Sequence, residues 1–299
     1  MGNLVRIGTN PIAWSNDDMR ELGGATPLEV CLSEAVEAGY QGIELGHKFP
    51  RDANVLAPIL KGHGIELISG WYSSELLSRS VDEEIVALEP HLSLLTAMGC
   101  DVVVWAETSG CVHGAKDTPL SERPVMREED WPVFTTRLSE IAAHVKRRGL
   151  TLAYHHHMGT VIETEAEVDR LMAETSDDVG LLLDTGHLTF AGGDPLAVAK
   201  RHASRIAHVH CKDVRLGVLA DVKASSSSFL SGVVDGVFTV PGDGDVDFPA
   251  VLKVVADAGY SGWLVVEAEQ DPAKANPLEY ARMGYASLEA YAREAGFAL

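Results

Sequence analysis

Four apolar runs in this chain stop on a residue that can bind a cation or move a proton. Leu150–Tyr154 stops on His155, Leu181–Leu183 on Asp184, Ile206–Val209 on His210 and Trp263–Val266 on Glu267. A carboxylate at the end of a buried run is costly unless something compensates it, and a bound cation is the simplest compensation. Two imidazoles and two carboxylates make a mixed nitrogen and oxygen set that suits Mn2+, Co2+, Fe2+ or Zn2+ better than Ca2+. A lone histidine at a strand end is more often a hydrogen-bonded structural group than a ligand. Four such residues on consecutive runs favour the metal.

Further polar residues stand close to this set. His187 lies three residues past Asp184 at the start of a helix, where it could move a proton or simply bond to backbone. Lys212 follows His210 by two and projects to the same side. It could bond a substrate oxygen or abstract a proton if burial lowers its pKa, or form a salt bridge with Asp213 or a neighbouring acid. Residues two apart on a strand share a face, so His157, His208 and Glu269 are alternatives to their neighbours, whereas His156 and Cys211 should point away. The residue that directly ends each run is preferred as the ligand. Asn10, Trp14, Glu44 and His47 follow the first two strands and offer the hydrogen bonds and aromatic face that a polyol pocket needs. With His157 and Glu269, Asn10, Trp14 and Glu44 are the expected substrate contacts.

The elements that would gather these residues alternate between short apolar runs and longer amphipathic ones, the pattern of repeated βα units. Strands are expected at Val5–Gly8, Gly42–Leu45, Glu66–Gly70, Asp101–Trp105, Leu150–Tyr154, Val179–Leu183, Ile206–Val209 and Trp263–Val266. Thr26 should cap the first helix, with Pro27 at its first position and Gly39 at its end. Helices are also expected over Asp52 to Gly62 or Gly64, Val81–Met98, Glu128–Arg148, Glu163–Glu174, Pro195–His202, Phe248–Ala258 and Asn276–Ala295. Pro90 should kink or split the Val81–Met98 helix. Eight such units predict an α/β fold, a (β/α)8 TIM barrel in a single domain over residues 1–299, with every strand C-terminus at one rim. Two long stretches, Glu107–Glu129 and Lys212–Asp247, follow strand ends and read as loops or lids over that face. Ser225–Ser228 reads as a mobile or capping element. Pro241-Gly242-Asp243-Gly244 lacks a phosphate-loop ending and reads as a tight turn delivering the loop into the last helix.

Composition narrows the partners. Net charge of −20 opposes binding to phosphate backbones, so nucleic acid is excluded and a small neutral or cationic ligand preferred. No apolar run approaches a membrane span, and Met1–Asn10 lacks a secretory core, so a cytoplasmic protein with no membrane partner is expected. The four cysteines show no Cys-x-x-Cys pair, which fits a reducing compartment. No GxGxxG follows a strand, which argues against a dinucleotide cofactor. The two long loops could reach a neighbouring subunit, so a homo-oligomer stays open.

Asp184-Thr-Gly-His187, His208-Val-His210-Cys-Lys-Asp213 and Val266-Glu267 resemble the metal-binding strand ends of the xylose-isomerase-like TIM-barrel superfamily of isomerases, epimerases and endonuclease-IV-type enzymes. Within it, the stretches Thr9–Asp17, Tyr154–Thr160, Gly236–Gly244 and Gly262–Pro272 are similar to the inosose (2-keto-myo-inositol) dehydratases of inositol catabolism. The resemblance implies a cyclic polyol ketone as substrate, loss of water to give a trihydroxycyclohexane-dione, and Mn2+ or Co2+ as cofactor. Glutathione is implied by resemblance alone, because no residue here marks a site for it. Isomerisation or epimerisation of a keto-sugar shares the opening step, and a non-catalytic sugar-binding barrel is the alternative of another class. One departure stands out: the glutamate usual at the end of the fifth strand is His155, which opens the ligand set to His157 or Glu269.

Overall fold

A computed structural model describes residues 3–299. Eight parallel strands close into a barrel: β1 (Val5–Thr9), β2 (Gly42–Leu45), β3 (Glu66–Ser74), β4 (Val102–Glu107), β5 (Thr151–His155), β6 (Val179–Asp184), β7 (Ile206–Cys211) and β10 (Gly262–Val266). Two residue pairs, β8 (Asp213–Val214) and β9 (Phe238–Thr239), form a separate antiparallel ribbon. Each barrel strand lies within a few residues of its predicted place. β3 departs most, running four residues past Gly70 to Ser74.

The run Leu181–Leu183 shows how the wall is built. Leu182 points inward among Val104 and Ala153, while Leu181 and Leu183 point out into the main core beneath the helices. Full burial of each such side chain is worth about 2 kcal/mol. Asp184 follows Leu182 on the inward face by the two-residue period and is paired in register with His210. His155 is paired with Leu182, and His210 also with Val265, so the ligand candidates rise together above one apolar layer. At the opposite end of the barrel, Arg6 lies over the Trp263 ring at 3.9 Å and bonds Glu66.

Helices alternate with the strands: α1 (Leu28–Ala38), α2 (Ala53–His63), α3 (Val81–Ala97), α4 (Trp131–Arg147), α5 (Glu165–Glu174), α6 (Thr185–Ala191), α7 (Pro195–His202), α8 (Leu216–Ala224), α9 (Phe229–Asp235), α10 (Phe248–Asp257) and α11 (Pro277–Ala295). None is long and apolar enough to cross a membrane. Thr26 does not cap α1; the helix starts one residue later than expected, at Leu28, with no side-chain cap. Pro90 does not split α3, which a capping box between Ser80 and Glu83 starts firmly and buried Leu88, Leu92 and Leu95 carry past the proline.

The stretch expected as a loop after β7 is largely structured. It holds β8, α8, α9 and β9, and Val214, Leu219, Val222, Phe229, Leu230, Val233 and Phe238 form a core of their own with Met158 and Phe190. Ser228 caps α9 by accepting from Ser231 N, as the capping reading of Ser225–Ser228 requires. The turn at Pro241–Gly244 leads into α10, not the last helix, and Asp213 holds it by accepting from the backbone N–H groups of Gly242 and Gly244 at 3.0 and 3.1 Å.

Candidate metal centre and its cavity

His155, Asp184, His210 and Glu267 each offer an atom to one cluster whose members all lie within 4.8 Å of one another. All four are buried. The hydrogen bonds around them dispose of one side of each group and leave the other side bare. His155 Nδ1 bonds the His156 carbonyl oxygen at 2.6 Å, which turns Nε2 inward. Asp184 Oδ1 accepts from His187 N at 2.7 Å, and its Oδ2 has no hydrogen-bond partner. His210 Nε2 bonds Glu44 Oε1 at 3.1 Å, leaving Nδ1 without a partner and 3.5 Å from Asp184 Oδ2. Glu267 Oε2, in contact with that Nδ1, is also orphaned.

Three orphaned buried atoms in one cluster are expensive unless a cation joins them. Ligand bonds of about 2.0–2.2 Å place donor atoms about 3–4 Å apart, close to the spacings found here. The residues present therefore fit a divalent first-row metal through His155 Nε2, Asp184 Oδ2, His210 Nδ1 and Glu267 Oε2. Without a cation the charges settle on the imidazole: burial disfavours the charged form of His210, but Glu44 and Glu267 outweigh it and push its pKa well above the ordinary value.

Lys212 sits beside this cluster, fully buried. Its Nζ lies 2.6 Å from Glu269 Oε1, 2.9 Å from His187 Nε2, 3.3 Å from Glu267 Oε1 and 3.8 Å from Asp184 Oδ2. Burial alone would lower its pKa, as the sequence suggested, but Glu267, Glu269 and Asp184 reverse the direction and hold the ammonium charged. Asp213 is not its partner, because that carboxylate is spent on backbone N–H groups. Burial pushes the Glu269 carboxyl up to about 7 against the pull of Lys212, and its Oε2 has no partner. His187 lies behind His157, their ring centres 3.9 Å apart, and beneath Phe229 and Phe238. Burial among these groups holds its pKa well below the usual value.

A cavity of about 270 Å³ opens above the cluster, and His155, His210, Glu267, His157, Glu269, Asn10 and Glu44 line it. His187 and Lys212 are not in its wall; they reach it through Glu269 and His157. Asn10 donates to Glu44 Oε2 at 2.7 Å and accepts from Ile12 N, and His157 Nδ1 is bonded to the Met158 carbonyl, leaving Nε2 for a ligand. His47 lines the rim, its Nδ1 paired with Asp17. His156 points away and meets Asp184 N at 3.5 Å. Trp14 does not reach the cavity: it is buried in the wall, with Nε1 donating to Glu34 at 2.7 Å, and lines a different crevice.

The aromatic face comes from Trp71, which the sequence reading passed over. It stands on the extension of β3, edge-on to His155 and His157 with ring centres 5.4 Å apart in each case. The aromatic pair Trp71-Tyr72 just after a predicted strand end was the available signal. His113, from the stretch after β4, also lines the cavity, 3.7 Å from Asp18.

Residues 32–291 match the family described as xylose isomerase-like TIM barrel. The chain belongs to that family. The rhizopine catabolism protein MocC of Rhizobium meliloti is 52% identical over 295 residues, covering 99% of this chain and 91% of its own. An inosose dehydratase of Geobacillus thermodenitrificans is 47% identical over 281 residues, 93% of this chain and 94% of its own. Among solved structures, an L-ribulose 3-epimerase matches with a TM-score of 0.68 at 18% identity, over 98% of this chain and 96% of that one. The IOLI protein with a bound zinc atom matches with a TM-score of 0.66 at 17% identity, over 97% and 98%. At these identities the two structures share the fold.

Proposed function

We propose that this protein is a metal-dependent hydro-lyase, an inosose dehydratase that removes water from 2-keto-myo-inositol to give a trihydroxycyclohexane-dione. The observation that carries the reading is the set of four strand-end donors gathered at one point, three of them with orphaned atoms, in a chain 47% identical to an inosose dehydratase along nearly its whole length. The ligands are His155, Asp184, His210 and Glu267, and the metal is Mn2+ or Co2+. Bound there, it supplies Lewis acidity toward a ring ketone and an adjacent hydroxyl.

The chain's own groups handle the proton. A hydroxyl β to a carbonyl leaves readily once the α proton has gone. Glu269 lines the cavity and its Oε2 has no partner, while Lys212 Nζ and His187 Nε2 continue from its Oε1 as a hydrogen-bonded line. In this reading Glu269 takes the proton from the ring carbon and the same set of groups returns one to the departing hydroxyl, so that H and OH leave together as water. Lys212 and His187 hold and orient that carboxyl from behind, while the roof of Phe229 and Phe238 keeps bulk water off them. His157 Nε2 and Asn10 contact substrate hydroxyls. Trp71 takes the aromatic role first given to Trp14. Four unpaired cysteines support a reducing, cytoplasmic setting.

The test is incubation with 2-keto-myo-inositol and added Mn2+ or Co2+, following the absorbance of the diketone. Conversion of ketohexoses without diketone would make the protein an isomerase or epimerase instead. Turnover unaffected by exhaustive chelation would remove the metal from the scheme.

A further inference from the structure

Glu44 lies in the floor of the cavity, where its position suits a contact with substrate, yet its oxygens are already engaged. Oε1 accepts from Ser69 Oγ at 2.6 Å, His208 Nε2 at 2.9 Å and His210 Nε2 at 3.1 Å. Oε2 accepts from Asn10 Nδ2 at 2.7 Å. Each carboxylate oxygen offers about two lone pairs, so Oε1, with three donors, is fully used by the protein, and Oε2 is held by Asn10. The residue is 3% exposed, and β2, which carries it, is not a neighbour of β7 in the barrel: Glu44 spans the interior to meet the two histidines.

What Glu44 holds is the ring of His210. Imidazole is a ligand only through a nitrogen that carries no proton, and the hydrogen bond at one nitrogen decides which that is. In the neutral ring, donation from Nε2 to Glu44 puts the lone pair on Nδ1, the side that faces Asp184 Oδ2 and Glu267 Oε2. The opposite tautomer would aim a proton at the metal position. His155 solves the same problem with a backbone carbonyl. For His210 the task falls to a side chain, braced by Ser69 and by His208, whose ring meets that of His210 edge-on at 5.4 Å.

We propose that Glu44 is a positioning residue for the metal site: with Ser69 and His208 as braces, it locks His210 in the tautomer that ligates through Nδ1, and it does not contact substrate. The expected substrate contact at Glu44 is replaced by this role. The inference rests on the metal centre described under Proposed function and deepens it.

The test is titration of Co2+ alone into metal-free wild-type protein, Glu44→Gln and Ser69→Ala, each checked for folding by circular dichroism, followed by KM for 2-keto-myo-inositol at saturating Co2+. Glu44→Gln keeps the shape and removes the charge. Removing such an outer partner costs about 10–100-fold in metal affinity, and that is the loss expected, with KM at saturating Co2+ within about twofold of wild type. Ser69→Ala leaves the carboxylate in place and loosens it, with a smaller loss of about 3–10-fold expected. Unchanged Co2+ affinity with a raised KM in Glu44→Gln overturns the inference and returns Glu44 to the substrate. If Glu44→Gln does not fold, Ser69→Ala decides: wild-type affinity in that variant overturns the inference. Wild-type protein that takes up no Co2+ overturns the metal centre itself, a separate outcome from equal binding by all three proteins.

Discussion

At the scale of single residues, the centre is an arrangement of half-satisfied groups. Each ligand candidate spends one polar atom on the protein and keeps the other for the shared position, which is why Asp184 is the sharpest place to intervene. Asp184→Asn retains an acceptor for His187 N but puts an uncharged amide where Oδ2 stood. Its kcat/KM for diketone formation should fall by more than about 100-fold even with excess metal, since ligand charge and Lewis acidity go together. Full turnover with metal still bound would sink the proposed chemistry. Trp71→Ala should act on binding instead. An aromatic face is worth about 1–1.5 kcal/mol beyond its area, so KM should rise about tenfold with little change in kcat, read from initial rates. An unchanged KM would take Trp71 out of the substrate's path. The contrast between Trp14 and Trp71 marks the limit of residue-type reasoning. Both are tryptophans close after or within a strand end, but Trp14 is buried with Nε1 on Glu34, whereas Trp71 is partly exposed with Nε1 on Ser73 and lines the cavity.

At the scale of elements, strands buried on both faces announce themselves as apolar runs, and the eight barrel strands were readable for that reason. What escaped was anything that broke the signal. β3 continues past Gly70 as Trp71-Tyr72-Ser73-Ser74, too polar to extend an apolar run, and that extension hid the aromatic face. β8 and β9 are two residues each, too short to show a period, so the structured insert after β7 read as a loop. The strand ends gave up His155, Asp184, His210 and Glu267 together because parallel topology sends every C-terminus to one rim. No periodicity could reveal that Glu44 crosses the interior. The turn from β6 into α6 carries its own constraint. A Cβ on Gly186 would lie 2.5 Å from Lys212 Cγ and 2.6 Å from Cδ, and the pinned lysine has nowhere to retreat. Gly186→Ala should therefore drag Nζ off Glu269 and His187. A displacement near 1 Å costs on the order of 100-fold, so kcat should drop by about 10–100-fold while metal content, measured by elemental analysis, stays at the wild-type value. Wild-type kcat in this variant would show that the placement of Lys212 does not matter to turnover.

At the scale of the molecule, the proposed centre is where four strand ends meet, and a shared cation there would tie them together. Removing a metal held at about 100 times its dissociation constant withdraws about 2.7 kcal/mol of stability. For a chain of this size that corresponds to a Tm lower by about 5–10 °C, and calorimetry before and after chelation should show the drop and its recovery on adding metal back. An unchanged Tm would mean that the cluster stands without a cation. The barrel and the insert between β7 and β10 are separate packing units, since Leu219, Val222, Phe229, Leu230, Val233 and Phe238 cluster apart from the main core. The candidate ligands belong to the ends of the barrel strands, and the roof over His187 and Lys212 belongs to the insert. A change in the insert's sequence therefore bears on the groups behind the cavity, through Phe229 against His157 and His187 and Phe238 against Lys212, without touching a candidate metal ligand. The groups proposed to bind the metal and the cover over the groups proposed to handle the proton are thus carried by two different parts of this chain.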